Sequence, residues 1–174
     1  DTLARECPSS PKVWGQNFCR QFEKQAPLTV FGYSLGARLL AEAICVAPEL
    51  FSKAVLISCN LPRLDDAARA SRALHDAEWG RRFADTSLSW NEVMEAWNAQ
   101  SVFAHSTTPL RDEKSFDRNL LARAFSEWSN SKQSIDAFDL LRVHVPILWL
   151  AGAHDVNASS LARRLQAEAS GSEL

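Results

Sequence analysis

Leu28-Thr29-Val30-Phe31-Gly32-Tyr33-Ser34-Leu35-Gly36-Ala37-Arg38 is the stretch that decides how this chain folds. Residues 28–31 form a short, β-rich, almost wholly apolar run ended by Gly32, the pattern of a strand covered on both faces of a parallel sheet. Residues 35–46 then change to a helical period. Leu35, Leu39, Ala43 and Val46 share one stripe, Leu40 and Ile44 widen it, and Pro48 stops it. A G-x-S-x-G thus stands between a buried strand and an amphipathic helix. So tight a turn requires small flanking residues, which is how Gly32 and Gly36 are read, and it puts Ser34 in a strained backbone conformation.

The alternation of strand and helix continues outward. Residues 13–24 place Val13, Trp14, Phe18 and Phe22 at helical spacing, with Ser9 and Ser10 before Pro11 as the start signal. Residues 54–58 and 145–152 read as second and third buried strands, and residues 159–169 as a helix after the third. Such alternation predicts an α/β fold with a parallel sheet. Between the second and third strands lie about 85 residues without strand-like alternation but with helical patterns at 67–74, 79–83, 90–99 and 116–128. This segment is expected to be an inserted helical cap. The predicted organisation is a core over 1–62, a cap over 63–143 and a return to the core over 144–174, with about three core strands.

Bulk properties remove several classes of function. With 46% hydrophobic and 23% charged residues and a net charge of -2, the 174 residues have an ordinary globular balance. Lys and Arg are scattered, apart from Arg81-Arg82, so no stripe follows a nucleic-acid backbone. No run approaches the roughly 18 apolar residues that cross a bilayer, and residues 1–20 hold no signal-peptide core. Cys7, Cys19, Cys45 and Cys59 form no CxxC pair and read as reduced thiols of a soluble, cytoplasmic protein. The chain opens at Asp1 and its one methionine is Met94, so it is read as part of a longer protein.

The chemistry centres on Ser34. A serine at a strand-to-helix turn is a nucleophile elbow: its hydroxyl projects above the sheet edge, and the Leu35 N–H at the helix N-terminus is placed to donate to an oxyanion. The alternative, a chance match at a Gly- and Ser-containing junction, does not account for the flanking pattern. A serine of this kind needs an acid and then a histidine, in that chain order. Asp155, just past the third strand in Leu150-Ala151-Gly152-Ala153-His154-Asp155, is the natural acid, with helix capping as its plainer role. No histidine follows His154, which is adjacent to the acid and badly placed to relay its proton. His75 and His105 in the cap and His144 before the third strand read as surface or packing residues.

Elbow, acid loop and cap together resemble the α/β-hydrolase superfamily, and within it the 2-succinyl-6-hydroxy-2,4-cyclohexadiene-1-carboxylate synthases of menaquinone biosynthesis. The resemblance runs through most of the chain. The elbow form GYSLGxR is matched by Gly32-Tyr33-Ser34-Leu35-Gly36-Ala37-Arg38, and an Arg-rich cap helix with a W-x-x-R-F-like run by Arg69, Arg72, Trp79, Arg82 and Phe83. The segment W-Y-Q-Q-P-V-F-A looks like residues 97–104, with Asn98 and Ser101 in place of Tyr and Pro; Ala37 replaces a second elbow glycine. The resemblance implies that early strands with an HGF-type oxyanion loop precede Asp1 and that a last strand and catalytic histidine follow Leu174. It also implies the reaction: triad-driven proton abstraction from a small carboxylated substrate and elimination of pyruvate, with no metal or organic cofactor. Arginines then suit the pocket wall, because a guanidinium holds a carboxylate bidentately. Tyr33, Arg38, Arg72 and Trp97 are the expected substrate-binding residues, with Arg123 as a further arginine. A plain structural role is the alternative for Arg38, as a solvated helix arginine, and equally for Arg72 and Trp97. Two other functions fit the same residues, an esterase acting through a Ser34 acyl-enzyme and an inactive binding scaffold. Oligomeric state is not legible.

Overall fold

The structure, a computed structural model, describes residues 10–103 and 111–171; the predicted features at Cys7 and His105 lie outside them. Helix α1 (Pro11–Phe22) starts where the sequence places it. Pro11 occupies the first turn and the Ser10 hydroxyl accepts the Val13 N–H at 3.2 Å. Strand β1 (Leu28–Tyr33) leads through Ser34 into α2 (Leu35–Val46), and β2 (Phe51–Ile57) follows. After a helical excursion, β3 (Ile147–Leu150) returns to the sheet and a last helix (Val156–Gly171) closes the described chain. The three strands lie in the order β1-β2-β3, all parallel, with Phe31 opposite Val55 and Val55 opposite Leu148.

Between β2 and β3 the chain forms α3 (Asp66–Ala84), α4 (Trp90–Asn98) and α5 (Arg118–Glu127) around a separate cluster of Trp79, Phe83, Trp90, Val93 and Met94; the closing helix is α6. The predicted helical patches at 67–74 and 79–83 are one continuous helix. Asp65 caps it through the Ala68 N–H at 2.8 Å, and its polar middle carries no breaking residue. Ser89 and Glu92 form a reciprocal capping box that starts α4. The excursion is pinned where it leaves and rejoins the core: the Ala137 N–H donates to the Leu61 carbonyl at 3.0 Å, and Arg63 Nε donates to Asp136 Oδ2 at 2.6 Å.

One face of the sheet builds the core. Val30, Ala54 and Leu56 join Cys19, Leu40, Ile44, Leu161 and Leu165 from α1, α2 and α6 in a single cluster. Burying side chains of this size is worth about 1.5–3 kcal/mol each, so the cluster dominates the stability of the slab. The other face differs from the sequence expectation. Phe31 and Tyr33 are each 69% exposed, and Leu148 and Leu150 are also open. Among the described residues strand β1 is therefore covered on one face only, since an apolar run has the same appearance whether one or both of its faces are packed.

A second tie between core and excursion is buried. Glu42, in α2 and 1% exposed, accepts the Ser134 N–H at 2.7 Å and the Ser134 hydroxyl at 2.8 Å. A carboxylate at such depth is tolerated because two donors meet it, and removing it strands both of them. Glu42→Ala is accordingly expected to destabilise the fold by about 2–4 kcal/mol, read as a shift of the urea midpoint. A loss below about 0.5 kcal/mol, the range of ordinary surface substitutions, would show that this tie is energetically idle.

Candidate active site

Ser34 follows β1 with φ 51° and ψ -115°, a positive-φ backbone that costs a non-glycine residue about 1–3 kcal/mol. Its N–H donates to the Ile57 carbonyl at 2.9 Å, which keeps it in the sheet register while the chain turns. Although it occupies the N-cap position, its hydroxyl makes no capping hydrogen bond. The residue is exposed and, among the described residues, its hydroxyl is uncommitted. Leu35 is the first residue of α2, so its N–H has no acceptor within the helix and stands at the positive end of the helix dipole. The geometry has the strand, sharp turn and helix expected of an elbow.

Gly32 explains the sharpness. A Cβ there would lie 2.6 Å from the Ala37 Cα and 2.8 Å from its nitrogen, closer than real contacts allow. Gly36 does not share this role: a Cβ there meets nothing within 4 Å among the described residues, so the steric demand on this turn falls on Gly32. A second strained residue, for which the sequence carries no signal, stands beside the turn. Ser58 has φ 47° at the end of β2, and its N–H donates to the Leu150 carbonyl at 2.8 Å. The ends of all three strands therefore lie along one carboxyl edge.

Asp155 belongs to that edge, in the loop beyond β3, a strand that lies two spacings, or roughly 10 Å, from β1 across the sheet. It is half-buried, and its Oδ1 accepts the Ala158 N–H at 3.0 Å. The plainer role of helix cap is thus real, and it leaves Oδ2 as the oxygen that could face an imidazole. His75 and His144, read as surface or packing residues, are exposed, and His154 beside the acid is exposed too. Arg123 is exposed as well.

Arg38 and Arg72 are brought together. Arg38 lies one turn into α2, its N–H donating to the Ser34 carbonyl at 3.2 Å. Its Nη1 donates to Asn130 Oδ1 at 2.7 Å and to Gln133 Oε1 at 3.3 Å, both neutral amides; among the described residues it has no carboxylate partner. Burial, and after it the Arg72 charge, lowers its pKa to about 10, with Cys59 and Asp76 acting in the opposite direction. It remains a cation at neutral pH. Arg72 is compensated differently, its Nε donating to the buried Asp76 carboxylate at 2.8 Å. Burial pushes the nearby Cys59 thiol up to about 12, so it is an inert neighbour of the arginine. Cys45 is likewise pushed up to about 12, and Cys19 is raised.

Trp97 is half-buried in the excursion, edge-on to Trp79 at 4.9 Å and near Phe83, Phe103 and Phe125. Those partners pack part of its ring into the aromatic cluster and leave the rest of the half-buried side chain accessible. Tyr33 lies on the open sheet face, opposite Ile57 in register. Asn130, Gln133 and Glu42 are not among the residues that the sequence nominates; the one available signal is a carboxylate at Glu42 amid Ala41, Ala43 and Ile44. Two cavities, of about 510 and 710 Å³, lie elsewhere, against Leu140, Trp149 and Leu165 in one case and Arg82, Leu88 and Val93 in the other.

A parallel sheet with a strained serine between strand and helix, a following acid loop and a helical excursion between β2 and β3 places the chain in the α/β-hydrolase fold class. No protein-family model matches the sequence. It is similar to the 2-succinyl-6-hydroxy-2,4-cyclohexadiene-1-carboxylate synthase of Pectobacterium atrosepticum, at 29% identity over 139 residues, 76% of this chain and 54% of that protein. To the synthase of the same name from Serratia proteamaculans it is 32% identical over 138 residues, 76% of this chain and 53% of that protein. The chain spans about half the length of these curated relatives. Its backbone matches the solved structure of MenH from S. aureus with a TM-score of 0.76 at 19% identity, over 90% of this chain and 62% of that one.

Replacing Gly32 by Ala should destabilise the chain by several kcal/mol, on the order of a severe core substitution, whereas Gly36→Ala should stay within about 1 kcal/mol. Thermal melts of the two variants make the comparison. Equal stability would mean that the approach of Gly32 to Ala37 is not what shapes the turn.

Proposed function

We propose that this chain is the elbow, acid and cap portion of a cytoplasmic carbon–oxygen lyase of the 2-succinyl-6-hydroxy-2,4-cyclohexadiene-1-carboxylate synthase type, acting in menaquinone biosynthesis. The observation that carries the reading is Arg38: a partly buried cation one helical turn from Ser34, held by amides and without a carboxylate of its own among the described residues, in a chain similar to enzymes whose product bears a carboxylate. In this reading Ser34, relaying its proton to an imidazole that none of the described histidines supplies, removes a proton from a small carboxylated substrate. The electron pair released forms a carbon–carbon double bond in the substrate as the carbon–oxygen bond to the leaving group breaks, and that group takes up a proton and departs as pyruvate. Arg38 and Arg72 hold substrate carboxylates, the Leu35 N–H stabilises developing negative charge, Tyr33 and Trp97 flank the ligand, and Asp155 orients the imidazole through Oδ2. Asp155 would then serve two neighbours at once, one oxygen each.

Residues 1–62 and 144–174 form the catalytic core in this proposal and 63–143 the lid-like cap that carries Arg72. In this proposal the imidazole is not that of His75, His144 or His154, and the 174-residue polypeptide alone is expected to be nearly inert, since loss of a triad member removes most of the rate enhancement.

A second reading, acyl hydrolysis through a Ser34 acyl-enzyme, is favoured by the uncommitted, exposed hydroxyl of Ser34, which suits attack on a carbonyl as well as proton transfer. The two separate in one experiment on the complete protein. The lyase releases pyruvate from its substrate without a burst on p-nitrophenyl acetate; the esterase gives the burst and no pyruvate. Ser34→Ala should lower kcat at least about 1,000-fold and Arg38→Ala should raise KM at least about ten-fold. Unchanged turnover in Ser34→Ala would remove both enzymatic readings.

A further inference from the structure

Arg38 and Arg72 are neighbours of like charge, and the protein treats them unequally. Arg72 is paired with a carboxylate, Asp76, one turn along α3 at 2.8 Å. Arg38 receives only neutral oxygen: Asn130 Oδ1 at 2.7 Å and Gln133 Oε1 at 3.3 Å, both on Nη1. Among the described residues Nε and Nη2 donate to no protein group, so one whole edge of the guanidinium is without a protein acceptor. Gln133 also grips the backbone behind it, its Nε2 donating to the Arg38 carbonyl at 3.1 Å.

The segment that carries these amides is held from two further directions. Glu42 takes both donors of Ser134, at 2.7 and 2.8 Å. Arg69 Nη1, from α3, donates to the Ser131 and Gln133 carbonyls at 2.9 and 3.2 Å. Asn130 and Gln133 are 6% and 4% exposed, so neither swings freely. A carboxylate at either position would make a stronger, charge-assisted bond to Arg38. It would also cancel the charge. An amide fixes the direction of the guanidinium and leaves the cation for a ligand.

We infer that Asn130 and Gln133 are positioning residues that hold Arg38 by Nη1 alone and keep its charge uncompensated, thereby setting the affinity of the site for a ligand carboxylate. The inference rests on the proposed function and adds to it the residues that tune the arginine. Stability and affinity are then opposed at these two positions, which a purely structural role does not predict.

The test is Asn130→Asp in the complete protein, an isosteric change that keeps the hydrogen bond and adds a charge. KM for the carboxylated substrate, and the calorimetric Kd of the competitor succinate, should both rise about ten-fold or more, while kcat stays within about two-fold and the melting temperature is unchanged or higher. Gln133→Glu should act in the same direction more weakly, and serves if the first variant does not fold. Both variants folding with KM and succinate Kd within about two-fold of the parent, while Arg38→Ala raises them, would overturn the inference and leave the proposed function standing. Arg38→Ala without effect on KM or kcat would overturn both together.

Discussion

Everything in the site follows from how closely two pieces of backbone approach at the end of β1. With no Cβ on Gly32, the Ala37 backbone of α2 can lie against the strand it has just left, and the chain reverses within the width of Ser34. The positive φ of Ser34 works against this by about 1–3 kcal/mol. Burial of Val30, Leu40, Ile44 and Leu56 in the same cluster is worth about 1.5–3 kcal/mol for each side chain. The packing prevails by a wide margin, and the strain persists because the helix has no other way to cover the sheet. The position of the serine is thus a by-product of core packing, held in register by the Ile57 carbonyl.

The consequence is an ordering along the carboxyl edge. Ser34 ends β1, Ser58 ends β2 and the Asp155 loop follows β3, so side chains far apart in sequence share one rim. Polar groups on that rim need not be buried to be ordered, because adjacent strand ends fix their backbones. Asp155 illustrates a division of labour within one carboxylate: Oδ1 caps the first turn of α6 and fixes the side chain, which leaves Oδ2 oriented. The helical excursion is closed at its base by Leu61 and Ala137 and, one step further into it, by Arg63 and Asp136. Arg38 with Asn130 and Gln133, and Glu42 with Ser134, add ties from α2 to the same segment.

Local periodicity makes the strands, α1, α2 and the tight turn legible, because each is set by residues within a few positions of one another. The faces of the sheet are not: Phe31 and Val30 are equally apolar, and only the tertiary structure shows that one is open and the other buried. The continuity of α3 is obscured by its middle, where His75, Asp76 and Glu78 interrupt the apolar stripe. Of these Asp76 is buried, and it can be because Arg72 reaches it from one turn away. Among candidate site residues, Ser34 and Arg38 are legible from the motif. Asn130 and Gln133 are not, because their partner is Arg38, 92 and 95 residues away, and a buried amide leaves no periodic trace.

Helix α2 explains why those distant residues matter. Ser34, Arg38 and Glu42 follow one another at intervals of four, so they stand along one side of the helix at steps of about 6 Å. The first presents an uncommitted hydroxyl, the second an uncompensated cation, and the third anchors Ser134 of the segment that holds the second. The backbone of one helix fixes the spacing of these three positions, while the reach of the Arg38 guanidinium is set by the amides that hold it. What the segment around Asn130 and Gln133 can change is the direction and availability of the positive charge at the second step, which makes those two amides the adjustable part of an otherwise rigid ruler.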